Sequence, residues 1–179
     1  MTPFVLAAVL ALQQPTAQRP AVAGNDSAQA AARQAISDVG RGVGEARSAH
    51  ELLRRAVFNG SDAQVVERAR QLQQRCRELV TIVQSATGRV CPACFGAAAQ
   101  RAIGAYRAGL PSVGQVGVRC VNQLRQDLGA RDAAAAARAS IRVIGATLTS
   151  GLLSYEAKLL EVRRAFGLVP PSSATARRP

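Results

Sequence analysis

Between Val65 and Val83 the apolar residues Val65, Ala69, Leu72, Cys76, Leu79 and Val83 fall at steps of four, three, four, three and four. Nothing else in the chain restricts the fold so much. That spacing puts all six side chains on one face of an α-helix but scatters them over both faces of a strand. The polar face is crowded with Glu67, Arg68, Arg70, Gln71, Gln73, Gln74, Arg75, Arg77 and Glu78, so one stripe is suited to burial and the opposite face to water. Ser61 with Gln64 three residues later forms a capping box at the start, and Thr87-Gly88 ends the helix.

The same alternation recurs upstream through Ala32, Ile36, Val39, Val43, Ala46, His50, Leu53 and Val57. Gly40, Gly42 and Gly44 interrupt it, each at a cost of about 1 kcal/mol relative to Ala. The spacing therefore predicts a secure helix over 45–58, with 24–44 a linker or a frayed, glycine-containing helix, and Asn59-Gly60 as the stop. A third helix is expected from Pro92, which suits a first helical position and leaves Cys91 at the N-cap. It should run to Arg107 and end at Gly109-Leu110-Pro111. A fourth, from Ser112 to Gly129, carries Val113, Val116, Cys120, Leu124 and Leu128. Asp132 caps a fifth whose stripe is Ile141, Ile144, Leu148, Leu152, Tyr155, Leu159, Val162 and Phe166.

There is no strand pattern and no internal repeat. Helices joined by short connections predict an all-α, antiparallel bundle of four to five helices, with the bundle domain over 45–167. Apolar residues make up 48% of the chain but aromatics only 3%, with no Trp, so the core must be thin and built from Leu, Val, Ile and Ala. The apolar run Phe4–Leu12 is too short to span about 30 Å of hydrocarbon. It resembles a signal-peptide core, with Ala21-Val22-Ala23 as a cleavage site, although no Lys or Arg precedes Arg19. Residues 1–23 are thus expected to be an export signal or an interfacial arm, and 168–179 a disordered basic tail.

Four cysteines, Cys76, Cys91, Cys94 and Cys120, are an even set, and export favours disulfides. If the turn at Gly88–Cys91 is one end of the bundle, Cys94 lies about 5 Å from it along the third helix, Cys76 about 18 Å and Cys120 about 10 Å. Bridged Cα atoms must lie within about 7 Å, which disfavours Cys76–Cys91. Cys76 and Cys120, both on inward stripes, are the expected long-range pair, leaving Cys91–Cys94 as a local bridge.

The motif Cys91-Pro92-Ala93-Cys94 admits other chemistry. Haem attachment needs His after the second Cys, where Phe95 stands. Structural zinc commonly uses two close ligand pairs, and only one is present. A redox dithiol is locally reasonable, because a helix N-terminus and Arg89 both stabilise a thiolate. Thioredoxin-like enzymes, however, set the motif on a βαβ scaffold. His50 is the sole histidine and sits at an inward position, as a core or boundary residue would. No phosphate loop, dinucleotide fingerprint or zinc-protease motif occurs, and no metal or cofactor is expected.

The net charge is +12, and every basic residue except Lys158 is arginine. Such a balance attracts polyanions and anionic surfaces. Arg89, Arg101, Arg107, Arg119, Arg125 and Arg131 face one acid in that stretch, Asp127, and are expected to form a cationic, partner-binding face. Aromatics for base stacking are nearly absent there, so sequence-specific nucleic-acid binding has little support. The expectation is a non-catalytic accessory or scaffolding subunit of a membrane-associated assembly at the periplasmic or extracellular face. Its partners would be other subunits or an anionic membrane surface. A thiol–disulfide or metal-dependent protein using Cys91 and Cys94 is one alternative; a cytoplasmic polyanion binder is the other.

Overall fold

A computed structural model describes residues 22–168. The apolar N-terminal run and the basic tail after Leu168 lie outside the described residues. Four helices follow in order: α1 Val22–Asn59, α2 Asp62–Arg89, α3 Ala97–Gly129 and α4 Ala133–Ala165, with a 3-10 turn, Pro92–Cys94, before α3. No strand is present among the described residues. Successive helices run antiparallel and pack 1 on 2, 2 on 3 and 3 on 4, while α1 and α4 close the bundle through a looser seam.

The capping box forms as the sequence requires. The Gln64 amide donates to Ser61 Oγ, and the Ser61 amide donates to Gln64 Oε1 at 2.9 Å. Asp132 caps α4 by accepting from the Ala135 amide at 2.9 Å. Each stripe turns inward, so that Leu53, Leu72, Leu79, Leu110, Leu124, Ile144, Leu148 and Leu152 are fully buried along the axis.

Three boundaries depart from the sequence reading. Of the two expectations for 24–44, the glycine-containing helix holds and the linker does not: these residues are the first turns of α1, continuous through all three glycines. Burial of Ala32, Ala35, Ile36, Val39 and Val43 outweighs a propensity cost of about 3 kcal/mol. Gly42 even has a packing role, since a Cβ there would stand 3.1 Å from Ile82 Cδ1.

Likewise α3 does not stop at Gly109-Leu110-Pro111 but carries Pro111 inside it, so the expected third and fourth helices are one. Pro111 is exposed, and the residues around it, Ile103, Tyr106, Leu110, Val113, Gly117, Cys120 and Leu124, keep an unbroken inward stripe. Their burial offsets the roughly 3 kcal/mol that an interior proline costs.

Thirdly, α3 starts at Ala97 rather than Pro92. Pro92 begins only the 3-10 turn, and Phe95 takes an extended conformation (φ −117°, ψ 158°). That conformation directs its ring inward, 5.5 Å from the ring of Phe166.

Candidate functional site

The structure places Cys76 beside Cys120 and Cys91 beside Cys94, both in disulfide geometry, with Cα separations of 6.2 Å and 5.5 Å. The two bridges sit in different surroundings. Cys76 and Cys120 are 0% and 1% exposed and tie α2 to α3 midway along the bundle. The helices can approach this closely because Gly117 lies one turn before Cys120; a Cβ there would stand 2.8 Å from Val80 Cγ2 and 3.2 Å from the Cys76 carbonyl oxygen. The pairing is the expected one, but the route to it differs. Cys120 meets Cys76 because a single α3 runs antiparallel to α2, its first turns projecting past the end of α2.

Cys91 and Cys94 are half-buried in the 3-10 turn. Gln29 Nε2 donates to the Cys94 carbonyl at 2.7 Å, fastening the turn to α1. Arg33 reinforces the join, its guanidinium lying 5.9 Å from the centroid of Phe95 and 5.4 Å from that of Phe166. A cation over two aromatic faces gains roughly 0.5–2 kcal/mol per ring. Sequence reasoning missed this clamp because its members are far apart in the chain.

The six arginines do not form one face. Arg101, Arg107, Arg119 and Arg125 all lie exposed on α3. Arg101 and Arg119 are five turns apart, as are Arg107 and Arg125, so each pair makes a row about 27 Å long. Arg119 borders α4, where it lines a groove with Val143 and Ala146, and the second row lies about 120° round α3 from the first. Among the described residues none of these four forms an ion pair. Arg89 instead turns to α1, 3.7 Å from Asp38. Arg131 sits at the α3–α4 connection beside Asp62, Glu67 and Asp132. Asp127, the one acid of that stretch, points inward, where it accepts from Ser140 Oγ and, at 3.0 Å, from Gln123 Nε2. The solvent face of α3 therefore carries positive charge with no acid of its own.

Beside it α4 carries a second stripe. Val143, Ala146, Ser150, Leu153, Ala157 and Leu160 recur at steps of three and four and are all exposed; Val143 is 59%, Leu153 58% and Leu160 38% exposed. No charged residue occurs between Arg142 and Glu156. The spacing was legible in the sequence, but the inward stripe of the same helix drew the reading. Against this strip Ser112, Val116 and Arg119 of α3 form a shallow groove of about 380 Å³ with Val143, Ala146 and Ser150. Gly151 lets the two helices touch, since a Cβ there would overlap Val116.

His50 packs half-buried against Gly145, and its Nε2 is buried without a hydrogen-bond partner. Burial pushes its pKa down, opposed by a hydrogen bond with the Ile141 backbone and by the charge of Glu51. Tyr106 and Tyr155 pack with tilted rings, centroids 5.6 Å apart, and the Tyr106 hydroxyl donates to that of Tyr155 at 3.4 Å. Burial raises the pKa of both. Among the described residues no three His, Cys, Asp or Glu side chains gather as metal ligands. No protein-family model, curated protein or solved structure matches this chain.

Proposed function

We propose that this chain is a non-catalytic helical accessory or scaffolding subunit of a membrane-associated assembly, docking through the joint solvent face of α3 and α4. One juxtaposition carries the reading: an exposed apolar strip on α4 runs alongside arginines of α3 that pair with no carboxylate among the described residues. From Val143 to Leu160 the strip is about 26 Å long and one helix face wide, which suits an amphipathic helix laid against it. Leu153 and Val143 would act as apolar anchors, and Arg101 and Arg119 would meet carboxylates flanking the apolar face of the partner. Two disulfides accord with an oxidising compartment, and so with the periplasmic or extracellular side of a membrane. No described helix is long and apolar enough to cross a bilayer.

The test is site-specific photo-crosslinking in native membrane fractions, with the probe at Leu153 or, as a control on the α1–α2 side, at Gln74. A defined crosslink from Leu153 to an acidic, amphipathic segment is expected, absent from Gln74 and lost in R101E/R119E. If Leu153 yields no crosslink and the chain stays monomeric and ignores anionic liposomes, the proposal is wrong.

A further inference from the structure

The looser seam between α1 and α4 opens toward the end of the bundle that carries the Cys91–Cys94 turn, leaving a cleft of about 990 Å³. Its origin lies in the sequence of α1. Ser37 and Gly40 face Leu159 and Val162 of α4, and Phe166 just after it, across the gap and are too small to fill it. A Cβ at Gly40 would make only ordinary contact, 3.6 Å from the Tyr155 hydroxyl. The volume lies at the upper end of the range for small-molecule sites, about 300–1,000 Å³.

Chemically the cleft has two zones. Its floor is apolar, built by Ile36, Leu159, Val162 and Phe166, and Phe95 closes one end. Its rim is cationic: Arg33, Arg41 and Arg163 all line it and are all exposed. All eleven acidic residues of the chain lie between Asp26 and Glu161, and among the described residues only Asp38 pairs with this rim, to Arg41 at 2.8 Å. Arg33 lies over the two phenylalanine rings and Arg163 pairs with no carboxylate among the described residues, so the rim keeps an excess of positive charge beside a floor that excludes water. A small inorganic anion would leave the floor wet, and a neutral apolar molecule would leave the arginines unused.

We propose that this cleft binds a single-chain anionic amphiphile of the long-chain carboxylate class, its head at Arg33, Arg41 and Arg163 and its chain along Ile36, Leu159, Val162 and Phe166. Guanidinium forks match a carboxylate bidentately, and each buried methylene of the chain adds transfer free energy. The site is independent of the α3–α4 face, which lies on other helix surfaces.

Calorimetric titration of the full chain with saturated carboxylates of eight, ten and twelve carbons, each below its micellar concentration, tests the proposal. One-to-one binding is expected to tighten about tenfold for every two carbons added. Dodecanol should bind at least tenfold more weakly than laurate. Arg163→Gln should weaken laurate about tenfold, and Ser37→Trp, which fills the gap from an exposed position, should abolish binding. Both variants should melt as the parent does, and Arg107→Gln, outside the cleft, should bind normally. Three results overturn the proposal: no saturable binding, equal affinity for laurate and dodecanol, or association only with phosphatidylglycerol vesicles. A Ser37→Trp variant that folds and still binds laurate at parental strength overturns it as well.

Discussion

Removing the two disulfides one at a time should separate a deep staple from a local one. Cys76 and Cys120 are 44 residues apart in sequence, Cys91 and Cys94 three. Loop-closure entropy in the unfolded chain grows with the logarithm of loop length, which gives about 4 kcal/mol for the long loop and about 2 kcal/mol for the short one. Alanine is the right replacement at the buried pair, because it brings no polar group into a site that is 0–1% exposed. For a chain of this size each kcal/mol moves the melting temperature by about 2–4 °C. C76A/C120A should therefore melt about 8–16 °C below the parent, and C91A/C94A about 4–8 °C below it. Calorimetric melts give the shifts, and intact-mass spectrometry with and without reductant counts the bridges in the parent. The long-range bridge also joins the midpoint of α2 to the second half of α3, whereas the short one joins neighbours already held by Gln29 and Arg33. The reasoning fails if C91A/C94A costs as much as C76A/C120A, or if the parent carries free thiols.

Helical glycines should divide by what surrounds them. Gly44 and Gly104 have open space where a Cβ would go, so Ala at either should stabilise by about 1 kcal/mol in denaturant titration, whereas Gly151→Val, forced into Val116, should destabilise by about 1–3 kcal/mol. The pKa of His50 is lowered by burial from the ordinary value of 6.5, so the unfolded chain takes up the proton first; stability should be full above that pH and decline as pH falls below it, and His50→Gln should flatten this part of the profile. Asp127→Ala leaves Ser140 Oγ and Gln123 Nε2 without their carboxylate and should cost about 1–3 kcal/mol, read as a lower urea midpoint, while Asp127→Asn should cost less.

Much of the architecture follows from spacing alone. The stripe from Val65 to Val83 could bury its apolar side only as a helix, and it does so between a capping box and a stop that the sequence spells out. The placement of Cys76 and Cys120 on inward stripes likewise pointed to the bridge between α2 and α3. These features are local, because period and capping chemistry act over a few residues and need no knowledge of neighbours.

What went unread depended on neighbours. Gly40, Gly42 and Gly44, and Gly109 with Pro111, are helix breakers by propensity, yet α1 and α3 run through them. The costs are a few kcal/mol at most, and burial against facing helices exceeds them. The arginines between Arg89 and Arg131 form one interval in sequence but three environments in space, divided by where α2 ends and α3 turns. The unfilled seam beneath Arg33 and Arg163 has no sequence signature at all, since a cleft is what two helices fail to fill. Sequence by itself determined that the chain is helical and which faces are apolar, because those follow from the periodicity of one chain. Tertiary structure alone decided where helices continue, which charges stay unpaired and where the packing leaves room, because each depends on what another helix places opposite.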